Sequence, residues 1–119
     1  MRNVLILFEG TWVVAFERNG KSLSKKRIDL HGTSGWFYDV QKHYAGDPRA
    51  VCRNLRAPIE EIAFTETSLQ FVVARQKIVS GCADLRFDLQ QTPEGLVGTM
   101  TGVDEDGDER RSRPVTLFK

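Results

Sequence analysis

The sequence is poor in the residues that build metal centres, disulfide frameworks and membrane spans. It contains two cysteines and two histidines, and neither pair has the spacing of a zinc or redox motif. The apolar run at residues 4–8 ends after five residues at Glu9 and Gly10, too short for a membrane span or a signal peptide. We therefore expect a cytoplasmic protein in which Cys52 and Cys82 are free thiols, an expectation that an exported form would reverse.

The sequence also lacks a large excess of charge of either sign. It has 17 Lys/Arg against 16 Asp/Glu, a net charge of +1. Because nucleic-acid-binding surfaces are usually strongly basic, we expect no nucleic-acid partner. Residues 1–58 hold ten Lys/Arg against five Asp/Glu (+5), and residues 59–119 hold seven against eleven (−4). The two halves attract each other, which favours a fold in which the chain ends meet.

No internal repeat or low-complexity tail divides the chain. At 119 residues, with 40% hydrophobic and 28% charged residues, it has the composition of an ordinary globular domain. A chain of this length buries roughly two-thirds of its unfolded surface around one core. We expect a single domain over residues 1–119.

The first half of the chain predicts three strands. Apolar residues alternate along residues 11–17, and Asn19-Gly20 suits a type I′ hairpin turn into a second strand over residues 21–30. A loop over residues 31–35 follows. Trp36, Tyr38 and Val40 then alternate with polar residues, which predicts a third strand whose aromatic side chains face the core.

The second half reads as short amphipathic strands separated by turns. We place these strands at residues 59–64, 68–75, 83–90, 96–103 and 109–118. About eight consecutive antiparallel strands form either a sandwich or an up-and-down barrel. We favour a mainly β, closed meander barrel, because closure removes the exposed sheet edges.

Residues 47–58 have three possible structures. Asp47 followed by Pro48 resembles a helix N-cap with proline at the first helical position, and Pro58 would end the helix. An extended strand and an irregular lid are the alternatives. On a helix, three arginines would form a basic stripe, which is either a solvated face or a surface for a phosphate, an acidic partner or an anionic membrane: Arg49, Arg53 and Arg56.

Gly10-Thr11-Trp12, near the start of the first strand, resembles the Gly-x-Trp signature of the calycin group, which includes lipocalins, fatty-acid-binding proteins and avidins. The later strands are similar to those of small bacterial lipocalin-like domains. The resemblance implies that Gly10 and Trp12 close one end of the barrel and that a late basic residue covers the tryptophan, Arg113 or alternatively Arg111. The central Thr-Asp-Tyr motif of classical lipocalins and the polar biotin cluster of avidins are absent, so the resemblance supports a fold more than a ligand.

The candidate metal ligands lack recognised spacing. The acidic run over residues 104–109 has its glycine, Gly107, at the fourth position, whereas a calcium-binding EF-hand loop needs glycine at the sixth. His31 and His43 lie twelve residues apart without a third ligand. We expect a solvated hairpin tip at residues 104–109, no metal and no cofactor.

No catalytic signature surrounds the candidate nucleophiles. Cys52, Cys82, Ser34 and Ser80 could each approach His43 in the fold, but none lies in a nucleophile elbow or a cysteine-protease motif. The sequence therefore favours a function other than catalysis.

An inward-facing aromatic set is the main functional signal. Its members are Trp12, Phe16, Trp36, Tyr38, Phe71 and Phe87. In an eight-stranded barrel such residues either fill the interior or line a cavity for one small ligand. We expect a small, largely apolar molecule held in the barrel mouth. The alternative is a filled barrel that docks a protein partner through its arginines.

Overall fold

The computed structural model describes residues 8–16, 22–39, 52 and 55–119, with the backbone alone for residues 22–25. The predicted Asn19-Gly20 turn and residues 47–51 of the predicted helix lie outside these ranges. Within them, no helix is long and apolar enough to cross a membrane.

Eight antiparallel strands close into one meander barrel. Each strand pairs with the next along the chain, and the last pairs with the first. The strands are β1 (Gly10–Phe16), β2 (Ser22–His31), β3 (Ser34–Asp39), β4 (Leu55–Phe64), β5 (Ser68–Val73), β6 (Asp84–Thr92), β7 (Gly95–Val103) and β8 (Glu109–Phe118). The predicted mainly β barrel is confirmed. A 3-10 turn, Arg75–Lys77, lies between β5 and β6.

The two ends of the barrel differ in the segments that they carry. One end holds Phe8, Lys119 and the short links at residues 32–33, 65–67 and 93–94, and we call it the Phe8 end. The opposite end holds Cys52 and the links at residues 74–83 and 104–108. We call it the disulfide end, because Cys52 is bonded to Cys82 there.

In the third strand, the side chains that face the core are not the predicted ones. Phe37 pairs with the inward-facing Ile28, and residues directly opposite each other in an antiparallel pair share a face of the sheet. Phe37 is accordingly buried inside the barrel. The neighbouring Trp36 and Tyr38 lie half-buried on the outer wall, so their prediction as core residues is wrong.

The link at residues 32–33 and Gly35 explain this register. With only two residues between the strands, Leu30 comes to lie opposite Gly35. A Cβ atom on Gly35 would lie 2.6 Å from the carbonyl oxygen of Asp29 and 2.8 Å from Leu30 Cδ2. Glycine therefore leaves room for the side chains of Leu30 and Ile59 inside the barrel.

Residues 55–58 form a strand, so this part of the 47–58 segment takes the extended alternative and not the helical one. β4 begins at Leu55 and continues through Pro58, with Ala57 and Ile59 facing the core. Pro58 is the last residue of β4 that pairs with β3, so its missing N–H group costs little there. Its carbonyl accepts a hydrogen bond from the Ala74 N–H at 2.9 Å.

The two cysteines form a disulfide, so the prediction of free thiols is wrong. Their Cα atoms lie 5.5 Å apart, although 30 residues separate them in the sequence. β4 begins and β5 ends at the same end of the barrel, which brings Cys52 beside the 74–83 link. The Arg75 side chain joins the same segments, donating hydrogen bonds to the carbonyls of Cys52 (2.8 Å) and Ala83 (2.6 Å).

Phe37→Ala tests the register of the third strand. We expect it to lower the free energy of unfolding by about 3–5 kcal/mol, because it leaves a cavity in the core. Trp36→Ala removes an outward ring and should cost about 1 kcal/mol. Chemical unfolding followed by circular dichroism measures both; equal losses, or a larger loss for Trp36→Ala, would contradict the register.

Reduction of the disulfide tests its contribution to stability. Opening a loop of 30 residues should lower the free energy of unfolding by about 3–4 kcal/mol, because the unfolded chain regains conformational freedom. Urea unfolding with and without a reductant measures the loss. The double variant Cys52→Ala/Cys82→Ala is the control, and its midpoint should not respond to reductant. An unchanged wild-type midpoint would show that the bond does not stabilise the fold.

Candidate functional site

The structure brings four of the six predicted aromatic residues together inside the barrel. Trp12, Phe16, Phe71 and Phe87 belong to the buried core, whereas Trp36 and Tyr38 lie on the outer wall. The rings of Phe71 and Phe87 stack in the centre, with centroids 4.9 Å apart. The predicted ligand-binding set is therefore divided between the core and the outer wall.

The centre of the barrel is filled by the protein's own side chains. The fully buried residues include Val14, Ile28, Phe37, Leu69, Phe87 and Leu117, each with 0% exposure. A side chain beside a space that admits a water molecule would keep some accessible area. No water-sized space therefore adjoins these side chains.

The core keeps measurable exposure near its ends. At the disulfide end, Phe16 and Met100 are each 8% exposed and Leu85 is 5% exposed. At the Phe8 end, Trp12 is 8% exposed. Apolar surface for a ligand is thus found among the described residues at the ends rather than in the centre.

The Phe8 end is held by contacts around Trp12. Its indole Nε1 donates a hydrogen bond of 2.8 Å to the carbonyl of the buried Phe8. Lys119 Nζ lies 5.0 Å from the indole and donates a hydrogen bond of 2.6 Å to the carbonyl of Glu9. Gly10, with a φ of +122°, carries the chain past the Lys119 side chain. These contacts give the end a structural role.

The cation over Trp12 differs from the one that the resemblance implied. Arg113 lies instead over Phe16, with its Cζ atom 4.1 Å from the ring centroid. It shares the inward face of β8 with Val115, which pairs with Phe16 near the disulfide end. Trp12 lies toward the other end of β1, where Lys119 follows β8 directly. No sequence signal singled out Lys119.

A buried ion pair lies beside the same phenyl ring. Lys26 Nζ is 3.3 Å from Asp39 Oδ2, and the side chains are 14% and 1% exposed. Lys26 Nζ is also 5.3 Å from the centroid of Phe16. Burying two charges costs desolvation energy, so such a pair is weak evidence for stability. Sequence reasoning missed both residues, although they alternate in step with the inward Ile28 and Phe37.

The outer wall carries a second cationic and aromatic cluster, formed by Trp36, Tyr38 and Arg56, which we call the outer-wall cluster. The Arg56 Cζ atom lies 4.0 Å from the centroid of the Trp36 ring and 5.3 Å from that of Tyr38. Tyr38 pairs with Arg56 on one side and with Arg27 on the other. Arg56 itself is exposed. Within the part of the chain that the structure describes, Arg56 makes no ion pair.

Arg56 belongs to the strand β4, so it is not part of the predicted helical stripe of arginines. Arg49 and Arg53 lie outside the described residues. The partner of Arg56 is therefore the aromatic pair on the neighbouring strand, a contact that depends on the β3–β4 register.

Hydrogen bonds within the acidic 104–108 turn explain its composition. Asp104 Oδ1 accepts hydrogen bonds from the backbone N–H groups of Asp106 and Asp108, at 3.1 and 3.0 Å. Carboxylate oxygens of these three residues lie within 4.8 Å of one another. Aspartate commonly stabilises turns in this way, so the Asp104 carboxylate has a structural role in the hairpin.

The candidate nucleophiles are engaged in other contacts. The disulfide removes both thiols from nucleophilic chemistry. Ser34 Oγ donates a hydrogen bond to the carbonyl of His31, and Ser80 Oγ donates one to Glu105. His43 lies outside the described residues.

Comparison of the chain with protein-family models, with curated proteins and with solved structures finds no match. The likeness to the calycin group is therefore a likeness of barrel architecture: eight antiparallel strands in sequential order.

Proposed function

We propose that this protein is a binding module that uses the outer wall of its filled barrel to dock a protein partner bearing exposed carboxylates. The observation that carries the proposal is the outer-wall cluster, in which Arg56 lies over Trp36 at 4.0 Å on an exposed face. Tryptophan, tyrosine and arginine are the residue types most enriched among those that dominate binding energy at protein interfaces.

The stacked arrangement suits an acidic partner. The Arg56 guanidinium lies over the indole ring, with its Cζ atom 4.0 Å from the ring centroid, and a guanidinium in such a position can still donate two parallel hydrogen bonds to a carboxylate. Stacking also holds the long side chain in place before binding, which reduces the entropy cost of docking.

Arg56→Glu should weaken the complex at least about 30-fold, equivalent to about 2 kcal/mol. Immobilised protein captures binders from a lysate of its native cells, and each binder is identified, purified and titrated against the protein. A Trp12→Phe background leaves Trp36 as the only tryptophan of the two in the chain. Its fluorescence then reports contact at the cluster directly.

Arg110→Glu is the matched control. Arg110 is exposed on β8, which lies across the barrel from β4, so the same charge reversal occurs away from the cluster. A complex that both reversals weaken equally depends on general charge attraction. That result, or binding without a change in Trp36 fluorescence, would overturn the proposal.

A small-ligand-binding barrel is the second candidate function. The observation in its favour is the residual exposure of Phe16, Met100 and Leu85 at the disulfide end. A largely apolar molecule would lie there, in the barrel mouth. The remaining inward aromatic residues lie deeper, and Phe71 and Phe87 would have to move before a ligand could pass between them.

Native mass spectrometry of the freshly purified protein tests the second candidate. We expect either a co-purifying small molecule or saturable one-to-one uptake of an apolar dye, with weaker uptake by Phe16→Ala. Trp12→Phe, altered at the opposite end, serves as the control. Bare protein that takes up no dye would exclude this candidate and leave the outer-wall proposal intact.

For either candidate function, we place the protein in an oxidising compartment instead of the cytoplasm that the N-terminal residues suggested. Disulfides persist in secreted and periplasmic proteins and are rare in the cytosol, and the Cys52–Cys82 bond is the observation that supports this placement.

A further inference from the structure

Phe16 lies between two cations at the disulfide end. The guanidinium of Arg113 is 4.1 Å from its centroid, and the ammonium of Lys26 is 5.3 Å from it. Both side chains come from inward-facing positions of their strands, on either side of β1. Phe16 and the two cations thus form a small cluster on the inner side of the barrel wall, separate from the outer-wall cluster.

The two cations differ in their electrostatic partners. Lys26 pairs with the buried carboxylate of Asp39 at 3.3 Å. Arg113 is exposed, and in the described ranges no carboxylate forms an ion pair with it. Arg113 therefore carries a positive charge beside the partly exposed apolar surface of Phe16 and Met100.

The apolar surface next to Arg113 is suited to a planar group. Met100 pairs directly with Arg113 across β7 and β8 and is 8% exposed, as is Phe16. Thioether and phenyl groups both make favourable contacts with aromatic rings. A guanidinium that is stacked on one face can also stack a ring on its other face, while its N–H edge binds an anion.

We infer that the disulfide end binds an aromatic organic anion, a carboxylate or a sulfonate, with its charged group on Arg113 and its ring against the surface of Phe16 and Met100. This inference rests on the second candidate function and adds the chemical class of the ligand. The outer-wall proposal is independent of it.

A matched pair of dyes tests the inference on the full oxidised chain. Anilinonaphthalene sulfonate carries an anionic group, and N-phenylnaphthylamine has the same ring system without it. Fluorescence titration should give saturable one-to-one binding of the sulfonate, at least about tenfold tighter than binding of the neutral dye. Naphthoate, a non-fluorescent competitor in this assay, should displace the sulfonate.

Variants at two positions of β8 assign the selectivity. Arg113→Gln should lower the sulfonate affinity to that of the neutral dye and leave the neutral dye unaffected, and Arg113→Lys should restore part of the difference. Arg110→Gln, at an exposed position on the same strand, should change neither affinity. Near-ultraviolet circular dichroism checks that each variant keeps the native core, since anilinonaphthalene sulfonate also binds partly unfolded proteins.

The outcomes distinguish failure of the anion site from failure of the small-ligand function on which it rests. Equal affinities for the two dyes, unaffected by Arg113→Gln, would overturn the anion site while leaving a small-ligand barrel. Binding of neither dye would overturn both. A sulfonate affinity that falls equally in Arg113→Gln and Arg110→Gln would show general charge attraction and would also overturn the site.

Discussion

Closure of the sheet between β1 and β8 is the constraint on which the rest of the structure depends. Because β1 pairs with β2 on one side and β8 on the other, the sheet has no open edge and one face of every strand turns inward. Eight strands enclose a space just wide enough for side chains, and fully buried residues such as Phe87 and Leu117 occupy its centre. The chemistry available for recognition is therefore at the ends and on the outer wall.

The sequence predicted the barrel well wherever one face of a strand was clearly apolar. β8 runs from Glu109 to Phe118 as expected, and strands from Ser68 onward alternate as expected. The prediction for the third strand failed because both of its faces carry aromatic residues. The alternation alone therefore could not show whether Trp36 or Phe37 faces the core. The length of the preceding turn decided the register instead. The prediction of free thiols failed because it rested on an expected cytoplasmic location. The topology, which the spacing of the cysteines does not reveal, brings Cys52 and Cys82 together across 30 residues.

The candidate sites were predictable only in part, because each depends on contacts between strands. Gly10 and Trp12 pointed to one end of the barrel, but which cation reaches the indole depends on the stagger of β8 against β1, and that stagger selects Lys119 over Arg113. Arg56 stood out as basic, yet its aromatic partner Trp36 lies on another strand. Local spacing contains no information on such pairs.

The two stacked arginines differ in what can reach them. Arg56 lies on the convex outer wall beside two aromatic rings, where a broad protein surface can cover the cluster and exclude water from its centre. Arg113 lies on the inward face of β8, over the Phe16 ring, which has little exposed area. Only a small group can therefore contact both the guanidinium and the ring. In the two proposals a guanidinium on an aromatic ring would therefore contact partners of different size, a protein surface at Arg56 and a small molecule at Arg113, because the two rings lie on opposite faces of the barrel wall.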